Sequence, residues 1–262
     1  MESLDEEQWA AFERDGYLRL GRLLEAEELQ TLQDRIQDIM MGRADLPYER
    51  MLMQLDSDTG KYADMKEMTR GHKGPSYDYR KIQDLELDPC FQRFLSRPIF
   101  RHICERAYGK DVPISVFRAM FMNKPSRKGT FLPWHQDRWT YLSADPLITT
   151  WTALDPATRE NGAVQVIPGS HVYGLINPSH LSGFLAEDQV TKWCEPDKIV
   201  HLTCEPGETI LLHNQLLHAS DVNKTDIARR AFSVCYMDAR TEVVDLETVR
   251  KNGFAETFSP AF

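Results

Sequence analysis

Phe131-Leu132-Pro133-Trp134-His135-Gln136-Asp137-Arg138-Trp139 sets a histidine and a carboxylate two residues apart among bulky residues that favour strands. On a β-strand, positions i and i+2 point to the same face. His135 and Asp137 are therefore expected to offer an imidazole nitrogen and a carboxylate oxygen to one point in space. That is two thirds of the 2-His-1-carboxylate facial triad, which holds non-haem Fe(II) and leaves positions open for other ligands. His-x-Asp also recurs by chance, so the rest of the chain must supply a second histidine and a fold that brings it close.

Around this stretch the hydrophobic period is two. Strands are expected at 116–122, 130–137 and 147–154, then at 163–167 after Asn161-Gly162. Past an excursion over 171–198 they resume at 199–203, 209–212, 216–219 and 228–237. Short strands separated by turn signals, without regular helices between them, predict an antiparallel sandwich or jelly roll. Upstream, the spacing predicts a helix over 5–14, a strand at 17–20 and a helix over 26–41 with Leu29, Leu32, Ile36 and Ile39 on one stripe. A further helix is predicted over 85–108, carrying Phe91, Phe94, Ile99 and Ile103. Residues 42–81 are polar with little periodicity and read as loops, either a lid over a site or a solvated surface excursion. The expected organisation is one domain, mainly β with N-terminal helices: a helical buttress and lid region over 1–110, a β core over 111–240 and a C-terminal tail over 241–262.

Composition narrows the function classes. The chain has 262 residues, 42% hydrophobic and 27% charged, as soluble globular proteins do. A net charge of −9 without basic clusters argues against nucleic acid as a partner. Five scattered cysteines without a C-x-x-C pair read as reduced thiols, and the N-terminus lacks the basic start and apolar run of a secretory signal. No stretch approaches 18 apolar residues. A cytoplasmic protein that works away from membranes is expected. The sequence sets no oligomeric state.

Downstream of the pair lie His171, His180, His201, His213 and His218. His218 fits a third ligand best, because it follows Gln215-Leu216-Leu217 on a late strand and Arg229 comes eleven residues later on the next one. His213 is expected in a turn, as an exposed loop histidine, while His171 and His201 stay as lesser candidates. On the strand from Arg229 to Tyr236, Arg229, Ala231, Ser233 and Cys235 share one face. That face sets a guanidinium beside small residues, with room for a bound molecule. Arg229 could grip a carboxylate with two parallel hydrogen bonds and Ser233 could add one, or Arg229 could sit in a surface ion pair.

Taken together, His135-Gln136-Asp137, Trp151-Thr152-Ala153-Leu154, Glu160-Asn161-Gly162, Pro168-Gly169-Ser170-His171, His218-Ala219-Ser220 and Arg229 resemble the phytanoyl-CoA dioxygenase family. Its members are Fe(II)- and 2-oxoglutarate-dependent oxygenases. The Asp15-Gly16-Tyr17 entry into a strand is similar too, and the likeness is weakest over 42–110 and 172–200. The resemblance implies a cupin-like double-stranded β-helix, with His135, Asp137 and His218 as iron ligands and Arg229 as anchor of the far carboxylate of 2-oxoglutarate. It places Ser220, Trp151 and Gln136 along the cosubstrate, although a regular strand would turn Gln136 away from the metal. With the acid retained at Asp137, it implies hydroxylation of a small molecule, using O2 and releasing succinate and CO2. A second reading is a non-oxidative Zn(II) or Mn(II) protein of the same fold, and a third is a structural protein whose histidines are core residues. A CoA-ester substrate would want a basic cleft, for which Lys124, Arg127 and Lys128 or Lys66, Arg70 and Lys73 are available.

Overall fold

The computed structural model describes residues 2–262. The chain opens with α1 (Glu6–Asp15), β1 (Tyr17–Arg22) and α2 (Ala26–Met40), followed by β2 (Leu52–Leu55), β3 (Thr69–Arg70) and β4 (Tyr79–Ile82). Next come α3 (Pro89–Leu95), α4 (Pro98–Tyr108), the long β5 (Ile114–Lys124), β6 (Leu132–His135), β7 (Ile148–Ala153) and β8 (Val164–Val166). The chain ends with α5 (Glu187–Trp193), β9 (Val200–Leu202), β10 (Glu208–His213), β11 (His218–Ser220), β12 (Arg229–Asp238), α6 (Leu246–Lys251) and β13 (Ser259–Pro260).

Local chemistry explains the helix ends. Asp5 and Gln8 form a capping box on α1, and Gly16, at φ +76, closes it in a left-handed turn that a side chain would strain. The single helix expected over 85–108 is two helices, because Pro98 offers no N–H to continue α3 and instead starts α4. The segment 42–81 is not all loop. Its strands are too short for a period to register, yet β2, β3 and β4 extend the main sheet. The segment 241–262 is no free tail either: β13 pairs with β5, and Val249 of α6 is fully buried. Within the excursion over 171–198, α5 is a helix that the sequence reading missed.

The strands form two antiparallel sheets that do not close into a barrel, the jelly-roll arrangement expected from the sequence. The larger runs β1-β10-β7-β12-β5-β4-β2-β3 with β13 beside β5, and the smaller runs β6-β11-β8-β9. Alternation along β12 divides its side chains as the sequence predicts. Phe232, Val234 and Tyr236 join α1 to α4 in the main hydrophobic cluster, while Ala231 packs with Trp151, Val166 and Leu202 between the sheets. One face of the large sheet is thus sealed by the N-terminal helices, and the other lines an interior open to function. Phe232 is 1% exposed, with its ring 4.8 Å from that of Phe91. We expect Phe232→Ala to cost about 3–5 kcal/mol in urea unfolding by leaving a cavity under the helices. Among the described residues, no helix is long and apolar enough to cross a membrane.

Candidate active site

The two sheets bring His135, Asp137 and His218 together, with one ligand atom of each within 4.8 Å of the others. His135 and His218 are register partners across β6 and β11, with ring centroids 4.0 Å apart. Asp137 arrives differently from expected. β6 ends at His135, so Asp137 lies on the following loop rather than on the same strand face. Its backbone N–H donates to the Asn214 carbonyl at 2.8 Å, which brings its carboxylate to the two rings. The carboxylate oxygens stand 3.9 Å from Nε2 of His135 and from Nε2 of His218. At that distance the groups do not hydrogen-bond to one another.

Backbone contacts orient both rings. Nδ1 of His135 is 2.8 Å from the Pro133 carbonyl and Nδ1 of His218 is 2.9 Å from the Leu216 carbonyl. A carbonyl can only accept, so each Nδ1 carries the proton and each Nε2 turns a lone pair toward the shared point. Burial, reinforced by neighbouring His218, holds the His135 imidazole well below its ordinary pKa and therefore neutral. Phe184 stacks on the His135 ring at 4.9 Å. Its loop approaches so closely that a Cβ on Gly183 would lie 2.0 Å from the Gln136 carbonyl oxygen. Two imidazoles and an acid, aimed at one point without bonding to each other, suit a transition-metal cation.

Beside this cluster lies a cavity of about 430 Å³, lined in part by Arg229, Ser220, Ser233 and Trp151. Arg229 is 3% exposed, and its Nε and Nη1 have no hydrogen-bond partner. Burial and nearby Arg80 lower its pKa to about 10, which leaves it charged at neutral pH. Trp151 lies under the guanidinium at 5.5 Å, and its own Nε1 also lacks a partner. Buried donors without acceptors are costly, so this wall is built for an anionic ligand. The surface ion pair considered for Arg229 falls instead to its neighbour Arg230, which forks onto Asp155.

The sequence reading missed Lys81. It faces the cavity from β4, in register with Met122 of β5, and burial beside Arg80 and Arg118 pushes its ammonium down to about 7. A lysine in a stretch read as loop gave no sign of this. The cavity is lined by five Arg or Lys residues (Arg80, Lys81, Arg118, Arg138, Arg229) against two Asp, a basic lining within a chain of net charge −9.

Other expectations need correction. Gln136 does not reach the cavity: fully buried, it donates to the Gly174 and Gln215 carbonyls and accepts from the Ile176 N–H. It braces the loop after β8 from a position just past the end of β6, where strand alternation no longer applies. His213 is not an exposed loop residue. It ends β10, half-buried between Phe12 and His171, with its pKa lowered to about 4 chiefly by burial. His171 bonds the Glu13 carbonyl and His201 lies on β9, both outside the metal cluster. The six basic residues considered for a CoA cleft are engaged elsewhere. Lys66, Arg127 and Lys128 pair with Asp58, Asp226 and Asp78. Arg70, Lys73 and Lys124 donate to backbone carbonyls, and none of the six lines the cavity.

A double-stranded β-helix with a His-Asp-His cluster at its centre and a buried arginine at the cavity wall defines the class: non-haem iron, 2-oxoglutarate-dependent oxygenases. Within that class the chain belongs to the phytanoyl-CoA dioxygenase (PhyH) family, whose model matches residues 12–231. It is 28% identical over 263 residues to phytanoyl-CoA dioxygenase 1 of Oryza sativa subsp. japonica, covering 90% of each chain. It is 25% identical over 253 residues to the peroxisomal phytanoyl-CoA dioxygenase of Homo sapiens, covering 92% of this chain and 70% of that one. Among solved structures, EctD from S. alaskensis with 2-oxoglutarate and 5-hydroxyectoine superposes with a TM-score of 0.74 at 21% identity, covering 98% of this chain and 85% of that one. At that identity the likeness is one of fold.

Proposed function

We propose that the chain works as one oxygenase unit in which His135, Asp137 and His218 hold Fe(II) and Arg229 anchors 2-oxoglutarate. The observation that carries this reading is the pairing, across one cavity, of a three-ligand cluster with a buried guanidinium that has two unpartnered donors. A non-oxidative Zn(II) or Mn(II) protein would need the cluster but has no use for such an arginine. With iron bound, the centre supplies the oxidant for R–H + 2-oxoglutarate + O2 → R–OH + succinate + CO2. The chain's own residues bind and orient. Arg229 and Trp151 offer N–H groups to the cosubstrate's far carboxylate, with Ser233 and Ser220 beside them, while Phe184 shields the His135 ring from water. Five unpaired thiols suit a reducing compartment, and we read it as the cytoplasm.

The test is anaerobic addition of Fe(II) and 2-oxoglutarate. A weak visible charge-transfer band is expected, followed in air by succinate release; no band and no succinate would reject the reading. Lys81 adds a pH signature. Its ammonium, free to titrate near 7, gives up its charge as pH rises, so 2-oxoglutarate affinity should fall about tenfold between roughly pH 7 and 9. The fall should vanish in Lys81→Met. In the ligand-free protein the same depression makes the unfolded state bind more protons above about 7, so stability gains with rising pH toward the ordinary 10.5. Calorimetric titration and urea unfolding at stepped pH check the two signs.

A further inference from the structure

The cavity continues beyond the metal cluster to a second end, where Arg118 stands on its wall. Arg118 lies six residues from Lys124 on β5, about 20 Å at ~3.3 Å per residue, and Lys124 is the register partner of Arg229. A molecule gripped by Arg229 and bound at the metal leaves Arg118 free. Arg118 pairs in register with Cys235, whose sulfur is 3.3 Å from Nδ2 of Asn214, the residue that positions Asp137. Arg118 therefore borders the metal cluster on the side away from Arg229.

Its surroundings are aromatic. The guanidinium carbon lies 4.8 Å from the Phe117 ring, 5.3 Å from Trp139 and 5.5 Å from Phe254. Its one side-chain hydrogen bond goes to the Tyr141 hydroxyl at 3.0 Å, and among the described residues no carboxylate pairs with it. Thr248 of α6 and Asn252 just after it line this end, so the C-terminal segment forms part of the cavity wall. A half-buried guanidinium held among rings on the cavity wall, with one side-chain hydrogen bond made, is a preorganised fork for a carboxylate. The basic residues that a CoA moiety would need are committed elsewhere, and about 430 Å³ must hold cosubstrate and substrate together.

We propose that this end is the substrate site, and that the substrate is a small carboxylic acid whose carboxylate pairs with Arg118 and whose apolar body lies against Trp139 and Phe254. The proposal rests on the oxygenase reading above and adds the chemical class of the molecule oxidised.

The test uses protein saturated anaerobically with Fe(II) and 2-oxoglutarate, titrated calorimetrically with benzoate, phenylacetate, indole-3-acetate and hexanoate and with their primary amides. At least one acid should bind about tenfold more tightly than its amide. The ratio should fall to about one in Arg118→Gln and recover in part in Arg118→Lys, with thermal unfolding confirming that each variant is folded. Equal binding of acids and amides, no binding by any of the probes, or an undiminished preference in Arg118→Gln overturns the proposal. So does a tenfold loss of 2-oxoglutarate affinity in Arg118→Gln, which assigns Arg118 to the cosubstrate. The charge-transfer band separates the two failures: its absence rejects the oxygenase reading, and its presence beside equal acid and amide binding rejects only the carboxylate site.

Discussion

Replacing Arg229 by methionine raises the KM for 2-oxoglutarate about 100-fold or more and leaves the free protein at least as stable as before. The first effect follows from the two donors, Nε and Nη1, that have no partner inside the protein. A carboxylate that enters their pocket sheds its water and must be compensated there. Removing one partner of a buried, hydrogen-bonded charge pair costs about 2–5 kcal/mol, and each ~1.4 kcal/mol is tenfold. The second effect has the opposite sign because the free protein carries the cost of this charge without its anion. Burial and Arg80 both disfavour the guanidinium, so a methionine of similar length relieves them. Arg229→Lys keeps the charge but loses the planar fork, and should fall between wild type and Arg229→Met. Initial rates of succinate release against 2-oxoglutarate give KM, and urea unfolding of ligand-free protein gives stability. An unchanged KM with a loss of about 3 kcal/mol in stability would make Arg229 a core residue instead.

This site is legible from sequence to the extent that it rests on alternation within single strands. Arg229, Ser233 and Cys235 fall on the interior face of β12 and Phe232 on the helix face because period two needs no tertiary information. The cross-strand meeting of His135 and His218 was reached through motif order and resemblance, since no local rule states which strands will pair. Asp137 was identified for a reason that does not hold: it reaches the cluster through a loop hydrogen bond to Asn214, where strand geometry no longer applies. Gln136, which the resemblance sets beside the cosubstrate, also lies past the end of β6, so its place is fixed by its own hydrogen bonds to the loops and not by strand alternation. Lys81 and the sheet extension around it stayed hidden because β2 and β4 have four residues each and β3 two. Runs that short carry no measurable period, and only pairing onto β5 makes them strands. The C-terminal segment hid for a related reason, since β13 is a two-residue strand whose partner lies more than a hundred residues away.

Replacing any one of His135, Asp137 or His218 by alanine should abolish stoichiometric iron binding and reduce succinate release to background, and the proof lies in how stability responds to metal. A cation that binds only the folded protein stabilises it by about 2.7 kcal/mol when present at 100 times its Kd. Wild-type protein should therefore gain thermal stability as Fe(II), added anaerobically, rises through its Kd, whereas the three alanine variants should show no such gain. Three proposed ligands on two strands and a loop make a site in which each removal leaves two donors, too few for tight binding at neutral pH. Asn214→Ala supplies the graded control. Its side chain accepts from the Thr149 hydroxyl and donates to the Pro146 carbonyl, fixing the loop whose backbone carbonyl holds Asp137. Loss of that bracing should weaken metal affinity about 10- to 100-fold without abolishing it. A series in which Asn214→Ala shifts the metal titration and the three alanine variants erase it would fit a metal centre built by these residues. Equal metal response in wild type and His218→Ala would show that the cation binds elsewhere.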